Sequence, residues 1–88
     1  MNWLALRVLT PDAAPQVRTV AALDVPAAHG RLTVLPGHAP LLCALRPGRV
    51  RVTEPDGSRS EIGVGPGMLH IDTRGATLIV DSAAAESG

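Results

Sequence analysis

The chain has 88 residues, enough for one domain with one core, and eight acids balance eight bases to zero net charge. Every base is Arg. The absence of Lys excludes Schiff-base catalysis, a phosphate-loop lysine and lipoyl or biotinyl attachment, and the neutral charge with a single aromatic residue argues against nucleic-acid binding.

The first apolar run, "WLALRVL", alternates with Leu4, Leu6 and Val8 on one face. Broken by Arg7 and lacking a cleavage site, it is too short for a membrane span and wrong for a signal peptide, so a cytoplasmic location is expected. "TPDAAP" is a loop. "QVRTVAALDV" is a long β-rich run that divides around Ala21 and Ala22. "RLTVL" places Leu32 and Val34 on one face. The stiff loop "PGHAP" separates it from "LLCAL", which holds the only cysteine, Cys43. One cysteine leaves no internal disulfide and fits a reducing compartment, and its apolar setting predicts a core residue.

"RVRVT" then points Val50 and Val52 inward and Arg49, Arg51 and Thr53 outward. With "EPDG" as a tight turn and "SEIGV" following, residues 49–65 read as a β-hairpin. "GPG" leads into "MLHID", and "TRG" into "ATLIVD". The closing residues, "SAAAESG", predict a short flexible tail at residues 84–88 after a domain at residues 1–83. Eight or nine short strands at near-regular spacing describe an all-β sandwich or barrel. The core is aliphatic, drawn from Leu, Val and Ala with one Trp and no Phe or Tyr, which suits a subunit stabilised by partners.

Chemistry is sparse. His29, His38 and His70 show none of the close spacings of compact metal motifs. Cys43 with His38 is the one nucleophile–base combination to consider, and Ser58 and Ser60 lack a glycine-framed elbow. "GVGPG" is explained by turn glycines, since no helix follows it. No catalytic residue, metal ligand or cofactor is expected. Recognition by shape remains: Pro36 and Pro40 fix dihedrals and Gly37 permits positive φ, so His38 is held in a defined place. From the residues alone, His38 either contacts a partner or hydrogen-bonds its own loop.

"GRLTVLPGHAPLLCALRPGRVRV" closely resembles the signature of the ε subunits of rotary F-type ATP synthases. "GVGPGMLHIDTRGATLIVDSA" resembles the family's later stretch, and "LRVLTPD" its opening strand and loop. The resemblance implies a flattened antiparallel β-sandwich of about ten strands, the N-terminal domain of a non-catalytic rotor subunit. It also implies two partners: the γ subunit, met by Pro36, Gly37, His38, Ala39 and Pro40, and the membrane c-ring, met by His29, Gly30 and Arg31. The domain would then be peripheral to the bacterial inner membrane on its cytoplasmic side, coupling ATP turnover to ion flow. Where the family continues into an inhibitory helical hairpin, this sequence stops at Gly88. The expectation is coupling without that brake, or else a sequence that is one piece of a longer chain. The loop at His29 and Arg31 is basic where the family is commonly acidic. The alternative of another class is a small metal protein or enzyme using His38 with Cys43 or His70.

Overall fold

A computed structural model describes residues 3–86. The described residues form ten strands: β1 (Leu4–Leu9), β2 (Gln16–Val20), β3 (Ala22–Ala27), β4 (Gly30–Val34), β5 (Leu41–Leu45), β6 (Gly48–Thr53), β7 (Arg59–Val64), β8 (Gly67–Asp72), β9 (Gly75–Val80) and β10 (Ala83–Glu86). The strands follow from the alternation seen in sequence. Leu4, Leu6 and Val8 are buried while Ala5 and Arg7 are exposed, and Val50 and Val52 are buried between exposed Arg49 and Arg51. Each period-two pattern has only one register that buries all of its apolar side chains, so register is strongly specified.

Hydrogen-bonded neighbours run in the order β10-β7-β6-β3-β5-β8-β9-β1-β2, with β4 pairing β3 off that path. β3 meets β5 through a single register pair, Ala27 with Leu45, and the sheet turns there into two leaves. One leaf is β4, β3, β6, β7 and β10; the other is β5, β8, β9, β1 and β2. Between them lies one aliphatic core that includes Leu6, Val20, Leu23, Val25, Val34, Val50, Val52, Leu69, Ile71 and Leu78. Burying each such side chain contributes about 1.5–3 kcal/mol before entropy is counted.

Two features differ from the sequence-based expectation. The pairing is antiparallel except for β1 against β9, which run parallel from Leu6–Ala76 to Leu9–Ile79. The tail expected at residues 84–88 starts inside a strand, because Ala83–Glu86 pair with Val64–Glu61 of β7. Small residues have weak strand signals of their own, and β10 exists because β7 offers it an open edge. Residues 87 and 88 of the expected tail lie outside the described residues.

A clasp closes the sandwich on the side away from that bend. Arg18 of edge strand β2 forms an ion pair with Glu54, just beyond β6, and Ser60 Oγ donates to the same carboxylate oxygen at 2.8 Å. The Ala21 N–H donates to Thr53 O at 2.7 Å, so the break between β2 and β3 is tied to the same corner.

Candidate docking loops and their groove

The strand register sorts the turns into two ends. Trp3, the loop at residues 35–40, the turn at residues 54–58 and the turn at Thr73 and Arg74 share one end. Ala28 and His29, Arg46 and Pro47, Gly65 and Pro66, and Asp81 and Ser82 share the other. His38 and His29 therefore stand at opposite ends of β4, separated by about five residues at roughly 3.3 Å each.

At the first end, the His38 N–H donates to Leu35 O at 3.0 Å, closing a turn over Pro36 and Gly37. Gly37 has φ +81°, a backbone conformation that favours glycine, and an added Cβ there would meet nothing within 4 Å. The His38 ring is half-buried. Its Nδ1 donates to the Ala39 carbonyl at 2.7 Å, which orients the ring and leaves Nε2 for another partner. The imidazole is thus held by its own loop, while Gly37, Ala39 and Pro40 are exposed and Pro36 is half-buried.

The loop walls a groove of about 380 Å³. Leu4 and Ile71 lie at its base, Trp3 and the turn from Asp72 to Gly75 form the other sides, and His38 faces them. Trp3 is 44% exposed. Asp72 Oδ1 accepts the Arg74 N–H at 2.8 Å, and that bond is the main cause holding the Asp72 carboxyl below its usual 3.8. The nearby charges of His70 and Arg74 add to the effect. Trp3, Asp72 and Arg74 did not stand out in the sequence as site residues. The one available signal was that Trp3 is the sole aromatic side chain in an aliphatic protein.

At the second end, backbone bonds fasten the β3–β4 turn to the β5–β6 turn: Ala28 N–H to Ala44 O at 3.1 Å, and Arg46 N–H to Pro26 O at 2.8 Å. His29 and Gly30 are exposed. Arg31 is exposed too, but its guanidinium folds back over β3. Nε donates to Asp24 Oδ1 at 2.6 Å, and Nη2 to the carbonyls of Asp24 at 3.0 Å and Arg49 at 2.8 Å.

Neither Cys43 nor His70, the two partners considered for His38, lines the groove that His38 faces. Cys43 points inward and packs on the core, and burial pushes its thiol above the ordinary 9.0. His70 lies on the outer face of β8, opposite Leu42 in register, so Cys43 and His70 are on different sides of one leaf. Among the described residues no three His, Cys, Asp or Glu side chains gather into a metal site. The alternation of β5 explains the separation: Leu42 and Cys43 are successive residues and must face opposite ways.

The family model for the ATP synthase delta/epsilon chain β-sandwich domain matches residues 3–86. An ATP synthase epsilon chain of Psychrobacter cryohalolentis is 38% identical over 83 residues, covering 94% of this chain and 60% of the relative. That of Dichelobacter nodosus is 32% identical over 77 residues, covering 88% and 54% respectively. The chain therefore spans little more than half the length of these relatives. Among solved structures, a chain of the Euglena gracilis mitochondrial ATP synthase, in the OSCP/F1/c-ring assembly, superposes with a TM-score of 0.85 at 23% identity. It covers 93% of this chain and 52% of that one. A chain of the Tetrahymena thermophila mitochondrial ATP synthase central stalk and c-ring gives 0.72 at 11% identity, covering 91% and 64%. At these identities the likeness speaks for the fold.

Proposed function

Because the chain belongs to the β-sandwich domain family of ATP synthase delta and epsilon chains, we propose that it serves as an ε-type domain on the rotor of an F-type ATP synthase or ATPase. In this reading it is not itself a catalyst. It docks on the γ subunit through Pro36, Gly37, His38, Ala39 and Pro40, and on the c-ring through the turn at His29 and Gly30. The link between the two helps couple ATP turnover to ion translocation. The domain then lies peripheral to the membrane, on the cytoplasmic side in a bacterium. No helix among the described residues is long and apolar enough to cross a membrane.

The observation that carries this reading is the placement of the two loops at opposite ends of β4, the turn at His29 fastened to β5 through Ala28 N–H and Ala44 O, and the loop at His38 closed on itself by the His38 N–H to Leu35 O bond. A body that transmits torque between two partners needs two separate, stiff contact surfaces, and short strands around one core supply that stiffness. Arg31 enters with a changed role. Its three hydrogen bonds hold it against β3 and β6, so it braces the turn, and His29 with the Gly30 backbone is left to meet the c-ring.

The test is co-purification from membranes carrying the cognate complex, using a tagged chain. Recovery of γ and c subunits is expected, with His38→Ala lowering recovery while stability stays within about 1 kcal/mol, as surface changes usually do. Recovery of neither subunit by the wild-type chain overturns the proposal. Global unfolding of His38→Ala would make the histidine a structural residue.

A further inference from the structure

The two outer faces of the sandwich have opposite chemistry. On the leaf that holds β5, β8, β9 and β1, Ala44, Met68, Ile79 and Leu9 form an apolar row across the strands. The outer face of β4, β3, β6 and β7 is charged. There Arg31 pairs with Asp24, and Glu61 is shared between Arg49 and Arg51 at 3.6 Å from each. A charge-assisted hydrogen bond is about 2.7–2.9 Å long, so Arg51 is only loosely held. Arg59, exposed at the start of β7, makes no ion pair among the described residues.

A hollow of about 230 Å³ opens in the charged face between Arg51 and Arg59. Strand register creates it. Thr53 stands opposite Ala22 of β3 on one side and Arg59 of β7 on the other, because the "EPDG" turn returns the chain in that register. In the next row Asp24 stands between Thr33 of β4 and Arg51 of β6. The short side chains of Ala22 and Thr53 leave the space that the longer arginines border. Asp24 is the one acid in the lining, and Arg31 already engages it at 2.6 Å. The other polar side chains there are donors: two guanidiniums and the hydroxyls of Thr33 and Thr53. None of them donates a hydrogen bond among the described residues.

We infer that this hollow binds a small inorganic phosphate anion, orthophosphate or pyrophosphate, between the guanidiniums of Arg51 and Arg59. The planar fork of each arginine matches a pair of phosphate oxygens, and the threonine hydroxyls can donate to the oxygens that remain. A single carboxylate has two oxygens and satisfies one fork, whereas a phosphate has enough for both. Size favours an inorganic ligand. The hollow is smaller than the pockets of about 300–1,000 Å³ that take organic ligands, and no aromatic side chain among the described residues lines it to stack a base. Neither the loop at His38 nor the turn at His29 lines the hollow, so the inference does not rest on the docking reading.

The test is an NMR titration of the isotope-labelled chain with pyrophosphate and, separately, orthophosphate, at constant ionic strength. Saturable shifts centred on Arg51, Thr53 and Arg59 are expected, and the anion that saturates at the lower concentration is the better ligand. Arg51→Gln and Arg59→Gln should each weaken binding several-fold while melting close to wild type. Arg59→Lys keeps the charge but loses the fork, and should fall between wild type and Arg59→Gln. Arg7→Gln, exposed on the other leaf, should bind like wild type. Shifts that never saturate, full binding in both glutamine variants of the hollow, or an equal loss in Arg7→Gln would reduce the effect to general charge screening and overturn the site. Succinate binding as tightly as pyrophosphate overturns the phosphate assignment, and ADP binding more tightly than pyrophosphate overturns the inorganic one.

Discussion

Gly37→Ala isolates the stiffness of the His38 loop. Gly37 sits at φ +81° with open space around it, so an added Cβ meets no atom within 4 Å and the whole cost is conformational. Holding a residue with a Cβ in the left-handed region costs roughly 1–2 kcal/mol. For a domain of this size that corresponds to a melting point lower by roughly 4–16 °C, taking about 4–8 °C per kcal/mol. Gly75→Ala provides the contrast. There φ is +143° and the new Cβ would land 2.3 Å from the Ala5 carbonyl oxygen, in the backbone of neighbouring β1. Strand β1 cannot recede without opening its pairing with β9, so Gly75→Ala should cost well above 3 kcal/mol or abolish folding, in the range of severe overpacking and strain. Thermal unfolding followed by circular dichroism measures both, with Gly37→Asn as an intermediate because Asn tolerates positive φ. The reasoning is refuted if Gly37→Ala melts with the wild type, or if Gly75→Ala is the milder of the two.

Removing the corner clasp by Glu54→Ala strands Arg18 and Ser60, both only partly exposed, and should cost about 1–2 kcal/mol in urea unfolding; an unchanged midpoint would show the clasp to be idle. Asp56, held below 3.8 by hydrogen bonds from the Ser58 hydroxyl and N–H, and Asp72, held below it chiefly by the Arg74 N–H, have depressed folded-state values. Their stabilisation is therefore fully present above the unfolded value near 3.8 and is lost as pH falls through the folded values, so replacing both by Ala should flatten the acid limb of a melting-temperature profile. The Cys43 thiol, raised by burial and packed on the core, should react with iodoacetamide at pH 8 far more slowly in the folded chain than in denaturant. Equal rates would place the thiol on the surface.

Local alternation carried most of the strand assignments. Arg49-Val50-Arg51-Val52 can bury its valines only as a strand, and "EPDG" supplies the turn that returns the chain as β7. The break at Ala21 was legible because a run as long as "QVRTVAALDV" exceeds an ordinary strand. The stiffness of the loop at His38 was written in Pro36, Gly37 and Pro40, and so was the likeness to ε subunits.

Other features had no local signal. β10 is a run of small residues that becomes a strand only because β7 has a free edge, and the parallel pairing of β1 with β9 joins segments some seventy residues apart. Arg18 and Glu54 are remote in sequence and meet because the sheet folds over on itself. Arg31 reads as an exposed interface charge until Asp24 and the Arg49 carbonyl are brought beside it. The sequence alone determined which side chains must leave water, because period-two alternation is a property of neighbouring residues. Which outer face stays apolar, which arginines are neutralised and which loops share an end were decided by pairing between distant strands, and only the tertiary structure contains that information.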